Sequence, residues 1–223
     1  MMLKAEKISK EFIREMKHTN RFLAVQETDF SLESGSLTVL MGRSGSGKST
    51  LLNMLAGLMM PSSGKILLND TDMYALSDKK LSAFRNRHIG VIPQGQTALY
   101  SLNVLENICL PYTLYGEEPH EADACALLDR LEISHLRNAM PSELSGGELR
   151  RMAIARAMMK KPGILLADEP TSDLDDETTK IVFSFLKESA HNGTAVLIVT
   201  HENDAKNYAD RSFRMNAGML CQD

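Results

Sequence analysis

The 223 residues contain no tryptophan, and phenylalanine and tyrosine supply all of a 5% aromatic content. A core of this size is therefore filled by aliphatic side chains and by methionine, of which there are 14. Cysteine is sparse as well. Cys109, Cys125 and Cys221 have no paired spacing of a metal site or a disulfide framework, which suits thiols in a reducing compartment. No apolar run approaches the ~20 residues that cross a bilayer; the longest, residues 51–61 and 195–200, reach at most about half of that. No cationic stretch followed by an apolar one marks a secretory signal. Positive charge is not in excess: Lys+Arg number 25 against 29 Asp+Glu, a formal net charge of −4, which argues against binding nucleic acid by general attraction. These absences predict a cytosolic protein whose membrane role comes through a partner. The length fits one large domain or two small ones.

What is present begins at Gly42-Arg43-Ser44-Gly45-Ser46-Gly47-Lys48-Ser49-Thr50, an uninterrupted G-x-x-x-x-G-K-[ST] phosphate loop. The apolar run Leu37–Met41 before it reads as a buried strand, and Leu51–Ala56 after it as a helix start. Glycines let backbone N–H groups turn toward an anion without Cβ clashes, and a helix N-terminus adds the positive end of its dipole. Lys48 is placed to reach β- and γ-phosphates, and the Ser49 hydroxyl to ligate Mg²⁺. The loop is expected to bind a nucleoside triphosphate.

Around it, residues 1–35 alternate in short segments (Leu3–Ile8, Phe22–Val25, Thr28–Leu32) that suggest an antiparallel layer. Pro61-Ser62-Ser63-Gly64 reads as a turn before a strand at Lys65–Leu68, residues 77–88 as a polar helix, and Ile89–Gln94 as a strand stopped by Pro93. Residues 97–160 show helical periodicity, divided by Pro111, Pro119 and Pro141. Gly163–Ala167 and Ala195–Val199 are near-continuous apolar runs, as in a parallel sheet covered on both faces, with a helix over about 176–190 between them. The expected fold class is α/β: a P-loop core with a mixed sheet, an antiparallel β layer and an inserted helical subdomain. Residues 1–96 and 161–223 would form the nucleotide-binding core of a single domain, and 97–160 the helical subdomain. The methionines at 54, 59 and 60 and at 152, 158 and 159 fall at helical spacing and read as adaptable packing.

Two further motifs carry chemistry. The strand ending in Asp168-Glu169 delivers two acids where an open α/β sheet binds ligands. Asp168 suits Mg²⁺, directly or through water, and Glu169 suits polarising an attacking water. Leu144-Ser145-Gly146-Gly147-Glu148 opens a helix expected over Glu148 to about Lys161, and Ser145 with Glu148 forms a capping box. The capping box does not account for two glycines between its members. They suggest close backbone approach to a phosphate, and by composition the string arises by chance in roughly one such chain in two thousand.

The phosphate loop, Gln94, Leu144–Glu148, Asp168-Glu169, Ser172-Asp173-Leu174-Asp175 and Thr200-His201 stand in the order of an ATP-binding cassette (ABC) ATPase, and the resemblance covers nearly the whole chain. It implies ATP and Mg²⁺ as cofactors, ATP hydrolysis as the activity and a homodimer through two sandwiched ATP molecules. Ser145, Gly146 and Gly147 of one copy would contact the γ-phosphate held by the other, with Asp175 crossing to the partner subunit. Glu169 resembles the general base, His201 the switch histidine on the γ-phosphate, and Gln94 the sensor of Mg²⁺ and water. Mg²⁺ would be held at Ser49, Gln94 and Asp168, and Lys48 would act with the catalytic group. Phe12 is the candidate to stack on adenine, with Phe22 as a rival. Leu149 and Asp173 depart from the family pattern without removing a needed group.

The family resemblance further implies a membrane permease partner and a peripheral place on the inner face of the cell membrane. The Arg85–Gly90 lead to Gln94 and the Pro141–Leu144 entry resemble the lipoprotein-release, macrolide-export and antimicrobial-peptide-resistance subgroup, which has a cell-division relative. A regulatory or cell-division ATPase of that subgroup is the alternative to transport. No nucleic-acid partner is expected.

Overall fold

The computed structural model describes residues 1–14, 20–172 and 174–222. Two sheets organise it. The first is antiparallel, in the order β2-β1-β4-β5, built from β1 (Met2–Arg14), β2 (Asn20–Glu33), β4 (Ser63–Leu68) and β5 (Thr71–Asp72). β1 and β2 pair along their length with register shifts near Ile8 and Lys10, and Phe12 lies opposite Phe22.

The second sheet has the order β10-β9-β3-β8-β7-β6. Its strands are β3 (Leu37–Met41), β6 (Ile89–Ile92), β7 (Ile164–Asp168), β8 (Ala195–Thr200), β9 (Arg211–Asn216) and β10 (Met219–Gln222). From β9 to β6 every pairing is parallel, and β10 closes the edge antiparallel. All residues of β3, β7 and β8 are buried. Both faces are covered, which is why these strands read as near-continuous apolar runs rather than as alternation.

Alternate strand residues enter two cores. Leu37, Val39, Ile92, Leu165, Ala167, Val196 and Ile198 pack with α3 (Val104–Thr113), α4 (Glu121–Arg130), α5 (Gly146–Met158) and α6 (Asp176–His191). Leu40, Ile164, Leu166, Leu197 and Val199 face α1 (Lys48–Leu55) and the antiparallel sheet. The remaining helix, α2 (Asp78–His88), leads directly into β6. The architecture is the expected one: a mixed sheet, an antiparallel layer and a helical insertion.

Several local expectations shift. Pro111 lies inside α3 rather than between segments. It falls in the last turn, where the missing N–H and the ring disturb only the end of the helix. Pro119 and Pro141 do mark boundaries, before α4 and at the start of a 3₁₀ turn. α1 starts at Lys48, inside the phosphate loop, and β6 ends at Ile92, two residues before Gln94. α5 runs from Gly146 and ends at Met158, so Lys160 and Lys161 lie beyond it. Each instead pairs with an acid, Lys160 with Glu117 at 2.7 Å and Lys161 with Asp123 at 2.9 Å. Met60 is 64% exposed and packs no core, unlike Met54, Met152 and Met159. The cysteines are free thiols.

Candidate functional site

Four adjacent strands of the second sheet, β3, β8, β7 and β6, end on the same edge, and each delivers one part of the site. The phosphate loop follows β3, Thr200-His201 ends β8, Asp168-Glu169 ends β7, and Gln94 follows β6. They converge on a cleft of about 860 Å³ lined by the phosphate loop, Gln94, Asp168, Glu169 and His201, with Phe12 and Phe22 at its outer wall.

The loop is wedged between two strands. A Cβ on Gly42 would lie 2.4 Å from the Met215 carbonyl of β9, and one on Gly47, whose φ is +108°, would lie 2.1 Å from the Ala24 carbonyl of β2. Gly47 takes the N-cap position of α1, and no side chain caps that helix. Its first N–H groups are thus left for an anion. Lys48 is buried, with Nζ donating to the carbonyls of Gly42 at 2.7 Å and Arg43 at 3.2 Å. Arg43, Ser44, Gly45, Gly47, Lys48, Ser49 and Thr50 line the cleft, whereas Gly42 and the buried Ser46 stand behind its wall. Ser46 receives the Gly218 N–H on its carbonyl at 2.9 Å, so the turn between β9 and β10 braces the loop.

The acids differ in their surroundings. Asp168 is buried, and its Oδ1 has no hydrogen-bond partner. Burial pushes its carboxyl above the usual carboxylate range, with a hydrogen bond from Ser49 working the other way. A buried, half-satisfied carboxylate beside a hydroxyl is a hard-oxygen donor set that fits Mg²⁺.

Glu169 accepts from Thr200 Oγ1 on Oε2 at 2.8 Å, and its Oε1 lies 2.9 Å from His201 Nδ1. The same hydrogen bond, reinforced by the carboxylate charge, raises the His201 pKa above its ordinary value. Glu169 also has φ +49°. A non-glycine residue in the left-handed region costs of order 1–3 kcal/mol and persists only where its surroundings over-determine it.

Phe12 and Phe22 stack with ring centroids 5.7 Å apart, so both line the cleft and neither excludes the other. Ser145, Gly146, Gly147 and Asp175 do not line it. Each serves locally. The Ser145 side chain closes a capping box with Glu148 on α5, and Asp175 caps α6, accepting from the Thr178 N–H at 2.8 Å. Asp173 lies outside the described residues.

Sequence reasoning missed Arg150 and Arg156 of α5. Arg150 donates to main-chain carbonyls on either side of Gln94 and at 168–170, and Arg156 donates to the Thr97 carbonyl at 2.9 Å. The signal was present: Arg150 stands four residues before the buried Ile154, on the same helix face.

The fold and this edge define a P-loop nucleoside triphosphatase with a helical insertion. Residues 25–172 match the model of the ABC transporter family. The chain is 40% identical over 199 residues to the lipoprotein-releasing system ATP-binding protein LolD of Colwellia psychrerythraea, covering 88% of this chain and 77% of that one. It is 36% identical over 222 residues to LolD of Idiomarina loihiensis, with 98% and 96% covered. Its structure matches the dimeric structure of MJ0796, a bacterial ABC transporter cassette, with a TM-score of 0.90 at 29% identity over 99% of this chain and 98% of that one. A post-hydrolysis MJ0796 dimer bound to ADP and Pi matches equally well, with a TM-score of 0.90. The chain belongs to the ABC transporter family, as an ATP-binding subunit with ATPase activity.

Proposed function

We propose that this chain is half of an ATP-driven dimer that powers a membrane permease. ATP is cleaved where the phosphate loop of one copy meets the Ser145–Gly147 helix start of the other. The observation that carries this is a pair of glycines the chain itself does not need. A Cβ on Gly146 would meet nothing within 4 Å, and one on Gly147 only Leu174 and Thr178 at ordinary contact distances of 3.5 and 3.7 Å. Neither has a positive φ. Bare backbone N–H groups at a helix start suit an oxyanion supplied from outside the subunit.

Within the cleft, the N–H groups of residues 45–50 and Lys48 bind the phosphates, and Phe12 and Phe22 offer a face to the base. Ser49, Asp168 and Gln94 are the residues that would hold Mg²⁺, which supplies charge neutralisation on the phosphates when bound. Glu169 takes the proton of the attacking water, a role that contributes typically 10²–10⁴-fold. His201 leaves Glu169 for the γ-phosphate, which frees the carboxylate Oε1 for that water while Thr200 keeps Oε2 in place.

Residues 97–160 act as the helical subdomain that passes closure to the permease, and 1–96 with 161–223 as the nucleotide-binding core. The relatives' name, a lipoprotein-releasing system, supports a permease partner. No helix among the described residues is long and apolar enough to cross a membrane. That fits a subunit held at the cytoplasmic face of the membrane by its partner.

The test is Glu169→Gln. With ATP it is expected to accumulate as a stable dimer by size-exclusion chromatography with light scattering. A protein that stays monomeric at saturating ATP would count against the dimeric site.

A further inference from the structure

Arg150 is a buried guanidinium, 7% exposed, to which the scheme above gives no task. Its Nη1 donates to the carbonyls of Pro93 at 2.7 Å and Gly95 at 3.4 Å, the two residues flanking Gln94. Its Nη2 donates to the carbonyls of Asp168 at 3.2 Å and of Glu169, and its Nε to that of Pro170 at 3.1 Å. One planar fork thus fastens three things together: helix α5, the loop that carries Gln94, and the backbone that holds Glu169 in its left-handed conformation. The Glu169 N–H is fixed from the other side by the Val199 carbonyl at 2.8 Å. Arg156 secures the far end of the same loop at Thr97.

We propose that Arg150 is a positioning residue that carries the state of the α5 helix start to the base and the Gln94 loop of its own subunit. This rests on the dimer proposed above. There, Ser145–Gly147 of a subunit contacts the phosphate held by its partner, while Arg150 stands three residues further along the same helix, ~4.5 Å of axial rise. A shift of α5 on the partner's phosphate therefore moves the carbonyls that Arg150 holds, and with them Glu169 and Gln94 at the subunit's own site. The two ATP sites are coupled through a rigid helix and a buried fork. A guanidinium suits this because its donors are coplanar and always charged. A lysine ammonium is a point charge that cannot span both segments.

The test compares Arg150→Lys, which keeps the buried charge, and Arg150→Met, which keeps the bulk, with the unaltered protein. Steady-state hydrolysis is measured over a range of Mg·ATP, with thermal melts in parallel. The unaltered protein is expected to show a Hill coefficient above 1. Both variants are expected to lose roughly 10- to 100-fold in kcat with KM changed less than about 3-fold, and their Hill coefficients to fall to 1. In a Glu169→Gln background both should still dimerise with ATP.

Should Arg150→Met fail to fold, Arg150→Lys alone decides the matter. A Hill coefficient that Arg150→Lys leaves unchanged, or a kcat loss that merely tracks loss of folded protein, overturns the assignment. If Glu169→Gln alone never dimerises, it is the dimeric reading that fails. If it dimerises and the Arg150 variants keep kcat and cooperativity, only the role of Arg150 fails.

Discussion

Replacing Gly146 and Gly147 together by alanine separates the demands of the fold from those of the ligand. Within the subunit an added Cβ finds open space at 146 and ordinary contact at 147. Both residues are helical, the first two of α5. Glycine in a helix is less favourable than alanine by roughly 0.5–1 kcal/mol, and somewhat less at the first turn, so the pair should gain about 1 kcal/mol. At about 2–4 °C per kcal/mol for a chain of this size, the melting temperature rises by a few degrees.

Activity moves the opposite way. A charge-assisted hydrogen bond is worth about 1.5–3 kcal/mol, and losing one such contact to the γ-phosphate costs roughly 10- to 100-fold in turnover. The control is Gly47→Ala, where φ is +108° and the Ala24 carbonyl stands 2.1 Å from the new Cβ. There left-handed strain and overlap should cost about 2–5 kcal/mol of stability. The assays are circular-dichroism melts without nucleotide and steady-state phosphate release. The reasoning fails if the double variant keeps full turnover, or if it melts lower as Gly47→Ala is expected to.

Two other perturbations read the electrostatics of the cleft. The Glu169 carboxylate, through its hydrogen bond and its charge, holds His201 above the ordinary imidazole value of 6.5. An imidazole NMR titration should then show that pKa dropping in Glu169→Gln, and an unmoved titration would mean that the pair does not form in solution. Because the folded pKa is the higher one, the pair's stabilisation is complete below about pH 6.5 and fades as pH rises through the folded value. The melting difference between the unaltered protein and Glu169→Gln should accordingly shrink as pH rises above about 6.5.

Asp168 has the reverse sign. Burial raises its pKa above the ordinary 3.8, so its charge burdens the fold increasingly as pH climbs from that value through the folded pKa. Asp168→Asn should raise the melting temperature at pH 7 by about 2–4 °C, from roughly 1 kcal/mol of relieved penalty. It should also remove at least about 100-fold of Mg²⁺-dependent turnover. A lower melting temperature would show that the charge is not costly.

The central sheet was legible because strands buried on both faces leave near-continuous apolar runs, as in Leu37–Met41 and Ala195–Val199. The candidate cleft was legible because the phosphate loop, Gln94, Asp168-Glu169 and Thr200-His201 each follow one of four neighbouring strands, whereas Ser145–Gly147 and Asp175 lie outside it. The β9–β10 hairpin was not. Arg211–Asn216 buries only Phe213 and Met215, too short an alternation to stand out, and its two-residue turn sets Ala217 at φ +46° before Gly218 at φ +79°, with alanine where such turns favour glycine, asparagine or aspartate. Yet that hairpin supplies the Met215 carbonyl over Gly42 and the Gly218 N–H on Ser46. Arg150 was legible only as a charge on a buried helix face, and its partners were not. Its acceptors are main-chain carbonyls, and carbonyls have no letter in the sequence.

The capping box at Ser145 leaves the two glycines unexplained in the sequence, and the structure shows what the cap leaves undone. Glu148 takes the Ser145 N–H at 2.7 Å and the Ser145 hydroxyl at 2.7 Å, and these bonds hold the Glu148 pKa below its usual range. The cap's return bond, from the Glu148 N–H to Ser145 Oγ, is long at 3.4 Å. The carboxylate therefore fixes the serine, while the helix-start N–H groups of the two glycines have no side chain over them. A phosphate arriving there meets those N–H groups directly. Only the Ser145 hydroxyl has to turn, exchanging one acceptor for another at a net difference of about 1 kcal/mol. In the proposed dimer the same five residues close a helix within one subunit and open toward an anion held by the next, and the glycines would allow the second role without disturbing the first.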